Sequence, residues 1–209
     1  MEKHLRYWQD SCSDKDSQSW LGNPFDSWKK ELRLYIKNSN YNSLLDCGAG
    51  LFAQYFGFKE ENIDIEYTAT EITEKYLDVG RSQGIDVYNY PVQNMPFPNK
   101  SYDVVLCLGV INHQRDFKDV IMELTRVAKK EVIITFFKPF YEEEKAQLEI
   151  ERHSSSIETI ENVGVIIHRQ PNMIYNLFFK NSMEDFMIEK KLDYNFITYK
   201  DTVALSIKK

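Results

Sequence analysis

Residues 43–55 read SLLDCGAGLFAQY, and the rest of the chain is arranged around this stretch. The apolar pair Leu44-Leu45 predicts a short buried strand, which ends at the acidic residue Asp46. Gly48 and Gly50 follow at alternate positions, and helix-forming residues come next. Glycine permits a sharp turn and a close approach of the backbone to a ligand. A helix that begins after such a turn directs its free N–H groups and positive dipole end into the gap. The stretch therefore predicts a strand–turn–helix suited to an anionic or polar ligand group.

This stretch resembles the first motif of the class I S-adenosylmethionine-dependent methyltransferases, in which an acid ends the first strand ahead of a glycine pair. Phe52 stands where that family usually has a third glycine. For the stretch taken alone, a strand–turn–helix without a ligand is the alternative interpretation. The resemblance implies that the amino-acid portion of the cofactor is held by Asp46, Cys47, Gly48, Ala49 and Gly50.

A second acidic residue, Glu71, closes the next predicted strand, which runs from Ile63 to Thr70. A carboxylate at this place can accept hydrogen bonds from the ribose hydroxyls of a nucleoside that lies across the strand ends. The family resemblance implies this role for Glu71 and places its neighbour Ile72 beside the cofactor. The alternative is a structural carboxylate that the dipole at the start of the following helix favours.

A third resemblance covers residues 91–98, PVQNMPFP, which look like the "acid-Ala-x-x-Leu-Pro-Phe" turn of the same family. Pro91 replaces the acid that the family places beside the adenine, so a carboxylate contact to the adenine amine is not carried over. The remaining candidates on this turn are the backbone of Val92 and the side chain of Gln93 or Asn94.

The clearest strand is predicted at residues 102–108, a continuous apolar run of the kind that parallel sheets bury on both faces. Leu108 ends this strand and is implied to contact the cofactor. His113 lies in the loop that follows, which should border the ligand cleft of an open α/β sheet. An imidazole there is a candidate catalytic base, and a structural or substrate-positioning histidine is the alternative.

Predicted strands alternate with predicted helices along the chain, which implies a parallel sheet with right-handed crossovers. We expect an α/β, Rossmann-like, seven-stranded, mostly parallel sheet with helices on both faces and a β-insertion after strand five. The single domain would span residues 1–209, with an N-terminal arm or lid at 1–24 and the insertion at 140–171. Beyond the strands already given, the predicted strands are 85–90, 131–137, 150–152, 163–168, 185–192 and 202–207. The predicted helices are 25–37, 73–83, 117–128, 141–148 and 172–180.

Composition limits the function classes that the chain can serve. With 43% hydrophobic and 28% charged residues, the 209-residue chain is expected to be globular. A formal net charge of -6 argues against a broad nucleic-acid interface, and no apolar run is long enough to cross a membrane. The three cysteines lack metal-ligand spacing, so we expect no metal site and a reducing cytoplasm. The oligomeric state stays open.

These features favour S-adenosylmethionine-dependent methyl transfer to a small-molecule acceptor by in-line displacement. An NAD-dependent oxidoreductase is one alternative, because Gly48, Gly50 and Ala53 also match the dinucleotide fingerprint. A non-catalytic protein that binds the cofactor is another. The sequence does not indicate which acceptor is used, or whether oxygen, nitrogen or carbon receives the methyl group.

Overall fold

The computed structural model describes residues 22–114, 117–136, 157–160, 164–169 and 173–209. Most of the predicted arm at 1–24 lies outside these residues. So do the predicted helix at 141–148 and the predicted strand at 150–152.

Seven strands form the main sheet in the order β3-β2-β1-β4-β5-β10-β9. The first five strands pair in parallel, while β10 is antiparallel to both β5 and β9. This topology confirms the predicted Rossmann-like sheet and brings the carboxyl ends of β1, β2 and β4 to one edge. The strands span Ser43–Cys47 (β1), Glu66–Thr70 (β2), Asp86–Tyr88 (β3), Tyr102–Leu108 (β4), Ala128–Thr135 (β5), Asp193–Tyr199 (β9) and Thr202–Lys208 (β10).

Helices cover both faces of this sheet, as predicted. Alternation along the strands separates two apolar sets: Leu44 and Val104 pack with the residues of α1, whereas Leu45 and Val105 pack with those of α4 and α5. None of the described helices combines the length and the apolar character that a membrane crossing requires. The helices span Ser27–Asn38 (α1), Ala53–Glu60 (α2), Glu74–Ser82 (α3), Phe117–Val127 (α4) and Lys180–Glu189 (α5).

A second, three-stranded antiparallel sheet follows strand five, as the predicted β-insertion requires. It contains β6 (Ile157–Ile160), β7 (Gly164–Arg169) and β8 (Met173–Phe178) in that order. The predicted strand at 163–168 corresponds to β7. Strand β8 packs against the short 3-10 helix at Ile111–His113, next to the carboxyl end of β4.

Two predicted elements near the C-terminus are wrong. The predicted helix at 172–180 is instead strand β8, because the backbone of this apolar and aromatic segment pairs along its length with β7. The predicted strand at 185–192 is instead the end of α5. Its buried residues Met183, Phe186 and Met187 have the i, i+3, i+4 spacing of one helix face. A short apolar run fits both the helical and the strand periodicity, so pairing with distant strands decides which structure forms.

Candidate functional site

The glycine turn after β1 lies on the carboxyl edge of the sheet. The N–H groups of Gly48 and Ala49 both donate to Thr70 O, at 2.8 and 3.0 Å, which ties this turn to the end of β2. The φ angles of Gly48 and Gly50 are +71° and +57°, a left-handed conformation that glycine adopts without steric cost. The two glycines are therefore needed for the path of the backbone.

Gly48 is also required by its neighbour across the sheet edge. A Cβ atom at this position would lie 2.5 Å from Cγ2 of Val110, which follows β4. No real Cβ contact is that short, so the turn approaches the loop after β4 as closely as a residue without a side chain allows. This contact fixes the distance between the ends of β1 and β4.

Glu71 joins the two loops that the sequence predicts at the ligand edge. Its Oε2 accepts the N–H of Gly50 at 2.8 Å, and its Oε1 accepts the N–H groups of Ile72 and Thr73, each at 2.8 Å. The residue is 6% exposed. A carboxylate offers about four acceptor positions, so three are already used. A ribose that bonds through two hydroxyls would have to replace one of these three contacts.

Asp46 is 3% exposed at the end of β1, and the hydroxyl of Tyr67 donates to its Oδ2 at 2.7 Å. The pKa of Asp46 is raised to about 6, mainly by burial and to a smaller extent by the nearby Glu71, while Tyr67 and Lys29 act in the opposite direction. Burial dominates because removing a carboxylate from water disfavours its charged form. Asp46 therefore changes its charge close to neutral pH.

Phe52 occupies the place of the family's third glycine and has a left-handed backbone. Its φ angle is +59°, and its side chain is fully buried at the start of α2. The ring lies beneath α3, where a Cβ on Gly80 would meet Phe52 Cζ at 2.6 Å. The turn thus keeps its shape while the side chain fills the space between two helices.

Side chains of α4 hold the turn at residues 91–98 in place. Glu123 accepts the N–H of Met95 at 2.8 Å, and Arg126 donates to Met95 O at 2.9 Å. Gln93 donates from its Nε2 to the Oε1 of Gln114, which follows the 3-10 helix after β4. Gln93 Oε1 is buried and has no hydrogen-bond donor among the described residues. This amide can therefore serve a ligand that the turn accommodates.

His113 ends the 3-10 helix after β4 and is 7% exposed. The backbone N–H of His113 donates to Val110 O at 2.9 Å, which closes a tight turn in this loop. Asn112 and Gln114 on either side are buried as well. The imidazole thus lies within a buried polar segment at the edge of the sheet, rather than on an open surface.

The remaining predicted residues contribute in different ways. The side chains of Cys47 and Val92 belong to the hydrophobic core, where Cys47 Sγ lies 3.7 Å from Met95 Sδ, so only their backbone groups can face a ligand. Burial raises the pKa of the Cys47 thiol, which keeps it protonated. Leu108 is partly buried in the apolar cluster on the α1 face.

Sequence reasoning missed two residues of this site. Tyr67 alternates with Ala69 and Glu71 along β2, so the face of the sheet on which it lies could have been inferred from strand periodicity. Gln114 directly follows the candidate His113.

Comparisons with known proteins agree with this geometry. A family model described as a methyltransferase domain matches residues 45–136, the segment from β1 to the end of β5. No curated protein matches the sequence at a significant level.

Solved structures with the same fold are numerous. A S-adenosylmethionine-dependent methyltransferase from Methanosarcina mazei superposes with a TM-score of 0.65 at 12% identity, over 85% of this chain and 96% of that one. An S-adenosylmethionine-dependent methyltransferase from Thermotoga maritima superposes with a TM-score of 0.61 at 13% identity, over 99% of this chain and 98% of that one. Magnesium protoporphyrin IX methyltransferase from Synechocystis, solved with bound S-adenosylhomocysteine, gives 0.60 at 11% identity, over 99% and 93%.

At these identities the structural likeness establishes the fold alone. The family model adds the sequence pattern of the strand ends and covers both acidic residues and the glycine turn. Residues 45–136 therefore carry a methyltransferase domain, and the chain has the fold of the class I S-adenosylmethionine-dependent methyltransferases.

Proposed function

We propose that the enzyme binds S-adenosylmethionine across the carboxyl ends of β1, β2 and β4 and methylates a small-molecule acceptor. The observation that carries this proposal is the contact between two loops, in which Gly50 N–H donates to Glu71 Oε2 at 2.8 Å. It puts the glycine turn and the second-strand acid at one edge of the sheet, where ligands of open α/β proteins bind.

The residues present fit this cofactor. The left-handed turn at Gly48 and Gly50 lets the backbone come close to a ligand, and Asp46 offers a carboxylate to the cofactor's ammonium group. Glu71 would accept from a ribose hydroxyl. Gln93, with its unpaired Oε1, would accept from the adenine amine in place of the acid that Pro91 replaces. Each part of the cofactor thus meets a group of matching polarity.

When bound, S-adenosylmethionine supplies a methyl group that its sulfonium has already activated. The protein's contribution is then mainly to bring the acceptor into line and close to that carbon. A general base is needed only for an acceptor that arrives protonated. His113 would either take this proton or hold the acceptor, and its burial next to Asn112 favours the positioning role.

The acceptor side of the cleft would be enclosed by the second sheet, since β8 packs against the 3-10 helix that carries His113. Phe178 at the end of β8 packs against Phe117 and Phe136, with ring centroids 5.0 and 5.5 Å apart. This apolar support closes off one side of the site from water, which suits a small acceptor better than a nucleic-acid chain.

The test is to incubate the full chain with S-adenosylmethionine and a pool of cell metabolites and to measure products by mass spectrometry. We expect formation of S-adenosylhomocysteine together with a metabolite that gains the mass of one methylene group. The matched control is Glu71→Ala, which should reduce both signals when the S-adenosylmethionine concentration is limiting. Methylation of nucleic acid or protein, with no small molecule modified, would contradict the proposed acceptor class.

A further inference from the structure

We propose that Tyr67 is a positioning residue of the cofactor site, whose hydroxyl orients the Asp46 carboxylate and keeps it ionised for the cofactor's ammonium group. This inference rests on the proposed function and deepens it. It follows from a hydrogen bond between neighbouring strands and from the aromatic packing that fixes the donor.

Tyr67 reaches Asp46 across two paired strands. β1 and β2 run in parallel, with Leu44 opposite Tyr67 and Asp46 opposite Ala69. The Tyr67 side chain therefore extends along the sheet toward its carboxyl edge, where its hydroxyl donates to Asp46 Oδ2 at 2.7 Å. An O–H···O distance of this size is typical of a hydrogen bond to a charged acceptor. The contact thus favours an ionised Asp46.

Two aromatic residues of α2 hold the ring of Tyr67 in place. The ring centroid of Tyr55 lies 5.3 Å away, and that of Phe58 lies 6.4 Å away in an edge-to-face arrangement. Because α2 is the helix that the glycine turn opens, the element next to the proposed cofactor also fixes the donor. A side chain that is already ordered loses little rotamer freedom when a ligand binds. The hydroxyl is thus preorganised toward Asp46.

The surroundings of Asp46 oppose its charge, and Tyr67 is the main group that favours it. Asp46 is only 3% exposed, and a buried carboxylate is costly unless it has hydrogen-bond partners. Its pKa is raised to about 6, with burial as the largest cause and the opposing hydrogen bond of Tyr67 as the second. Glu71, which follows β2, raises this pKa, and Lys29 on α1 lowers it less than Tyr67 does.

The other titratable groups beside Asp46 carry no charge near neutral pH. Burial raises the pKa of the Cys47 thiol on β1 and that of Cys107 on β4, so both stay protonated. The pKa of the Tyr67 hydroxyl is raised mainly by burial and then by Asp46. Tyr67 therefore remains a donor over the whole pH range in which Asp46 ionises. A carboxylate offers about four acceptor positions, so this bond leaves room for an ammonium donor.

The test measures the affinity for S-adenosylhomocysteine by calorimetry on the full chain from about pH 5 to about pH 8. Tyr67→Phe removes the hydroxyl and keeps the ring that packs against α2. Losing a hydrogen bond to a charged group should raise the pH at which Asp46 ionises by about one to two units. The variant should therefore bind about 10- to 100-fold more weakly at about pH 5, and about twofold or less more weakly at about pH 8. The ligand's own ammonium titrates equally with both proteins, so the ratio of the two affinities reports on the protein.

Three controls separate this role from a general disturbance of the site. Tyr55→Phe removes the hydroxyl of the neighbouring ring and should leave the affinity and its pH dependence unchanged. Methylthioadenosine, which lacks the amino-acid end of the cofactor, should bind the wild type and Tyr67→Phe equally at every pH. In an Asp46→Asn background, Tyr67→Phe should cause no further loss that depends on pH, because no charge remains to be stabilised.

Nuclear magnetic resonance of the Asp46 carboxyl carbon in the ligand-free chain gives a measurement that does not depend on binding. Its titration midpoint of about 6 should move upward by about one to two pH units in Tyr67→Phe. An unchanged midpoint, or a loss of affinity that is the same at every pH, would overturn the role of Tyr67 alone. A wild-type chain that does not bind S-adenosylhomocysteine would instead remove the proposed cofactor, and this role with it.

Discussion

The ring of Phe52 lies against Gly80, and a Cβ on that glycine would come within 2.6 Å of Phe52 Cζ. The two residues are complementary, because α3 can approach the glycine turn only at a position that has no side chain. Phe52 does this with a φ angle of +59°, a conformation that is strained for a bulky residue. The energy gained by burying the ring therefore holds a strained backbone at the start of α2.

This relationship predicts an unusual order of stability among variants. Phe52→Ala should lower the free energy of unfolding by about 3–5 kcal/mol, because a buried aromatic ring is lost. Phe52→Gly loses the same ring but relieves the left-handed strain, so it should be more stable than Phe52→Ala by about 1 kcal/mol. Urea unfolding of the two variants measures the difference. The usual order, with alanine more stable than glycine, would show that the backbone at this residue is unstrained.

Two glycines with similar backbone angles allow the effect of backbone strain to be separated from the effect of steric contact in the glycine turn. Gly48 and Gly84 have nearly equal φ angles, +71° and +70°, but a Cβ on Gly84 would have no atom within 4 Å. Gly84→Ala should therefore cost only about 1 kcal/mol of stability. Gly48→Ala should cost more, and it should also weaken cofactor binding.

Val110, the residue that a Cβ on Gly48 would meet, provides a control for the steric effect. Adding Val110→Ala removes the Cγ2 that the new methyl group would meet, and it should restore part of the stability lost in Gly48→Ala. Equal losses in Gly48→Ala and Gly84→Ala, with no effect of the second substitution, would show that this close approach is absent.

The raised pKa of Asp46 predicts a defined pH dependence of stability in the ligand-free protein. Because the pKa rises from 3.8 to about 6 on folding, the folded state favours the protonated form. This stabilising contribution is fully present below about pH 4 and is lost as the pH rises through about 6, a total of about 3 kcal/mol. Asp46→Asn removes it.

The stability of the variant relative to the wild type should accordingly increase as the pH rises from about 4 to just above 6. Chemical unfolding at several pH values measures this gain. A difference between the two proteins that stays constant with pH would mean that Asp46 titrates normally. Cofactor affinity measured at several pH values tests the same residue, since an ionised Asp46 is needed to bind an ammonium group. In the wild type, the affinity should fall by up to about tenfold for each pH unit below about 6. In Asp46→Asn, the affinity should not show this dependence.

Substitution of His113 distinguishes catalysis from positioning. If His113 only positions the acceptor, as its burial favours, His113→Ala should raise KM for the acceptor, and His113→Asn should recover much of the loss. If it acts as the base, kcat should fall by about 10²- to 10⁴-fold with cofactor affinity unchanged, and His113→Asn should not recover it. Steady-state kinetics against acceptor concentration separate the two.

The sequence predicts the central part of this enzyme well because its signals there are local. Leu44-Leu45 before Asp46, and the apolar run of β4, identify strands without reference to the rest of the chain. Glu71 and the two glycines then fall at one edge for topological reasons alone. The segment from β8 to α5 fails because its apolar spacing suits both a strand and a helix, and only pairing with β7 decides. The burial of Arg33 could not be predicted, since it results from packing between α1 and α2.

Calorimetric titration of the full chain with S-adenosylhomocysteine tests the proposed cofactor site. We expect saturable binding of one molecule per chain, competition by S-adenosylmethionine and no competition by NAD. We further expect that Glu71→Ala weakens binding by about 1–3 kcal/mol, the usual scale for hydrogen bonds to a charged group. Binding that Glu71→Ala leaves unchanged would exclude this carboxylate from the site. No heat of binding with the wild type, or binding of NAD in its place, would contradict the binding of S-adenosylmethionine at this edge of the sheet.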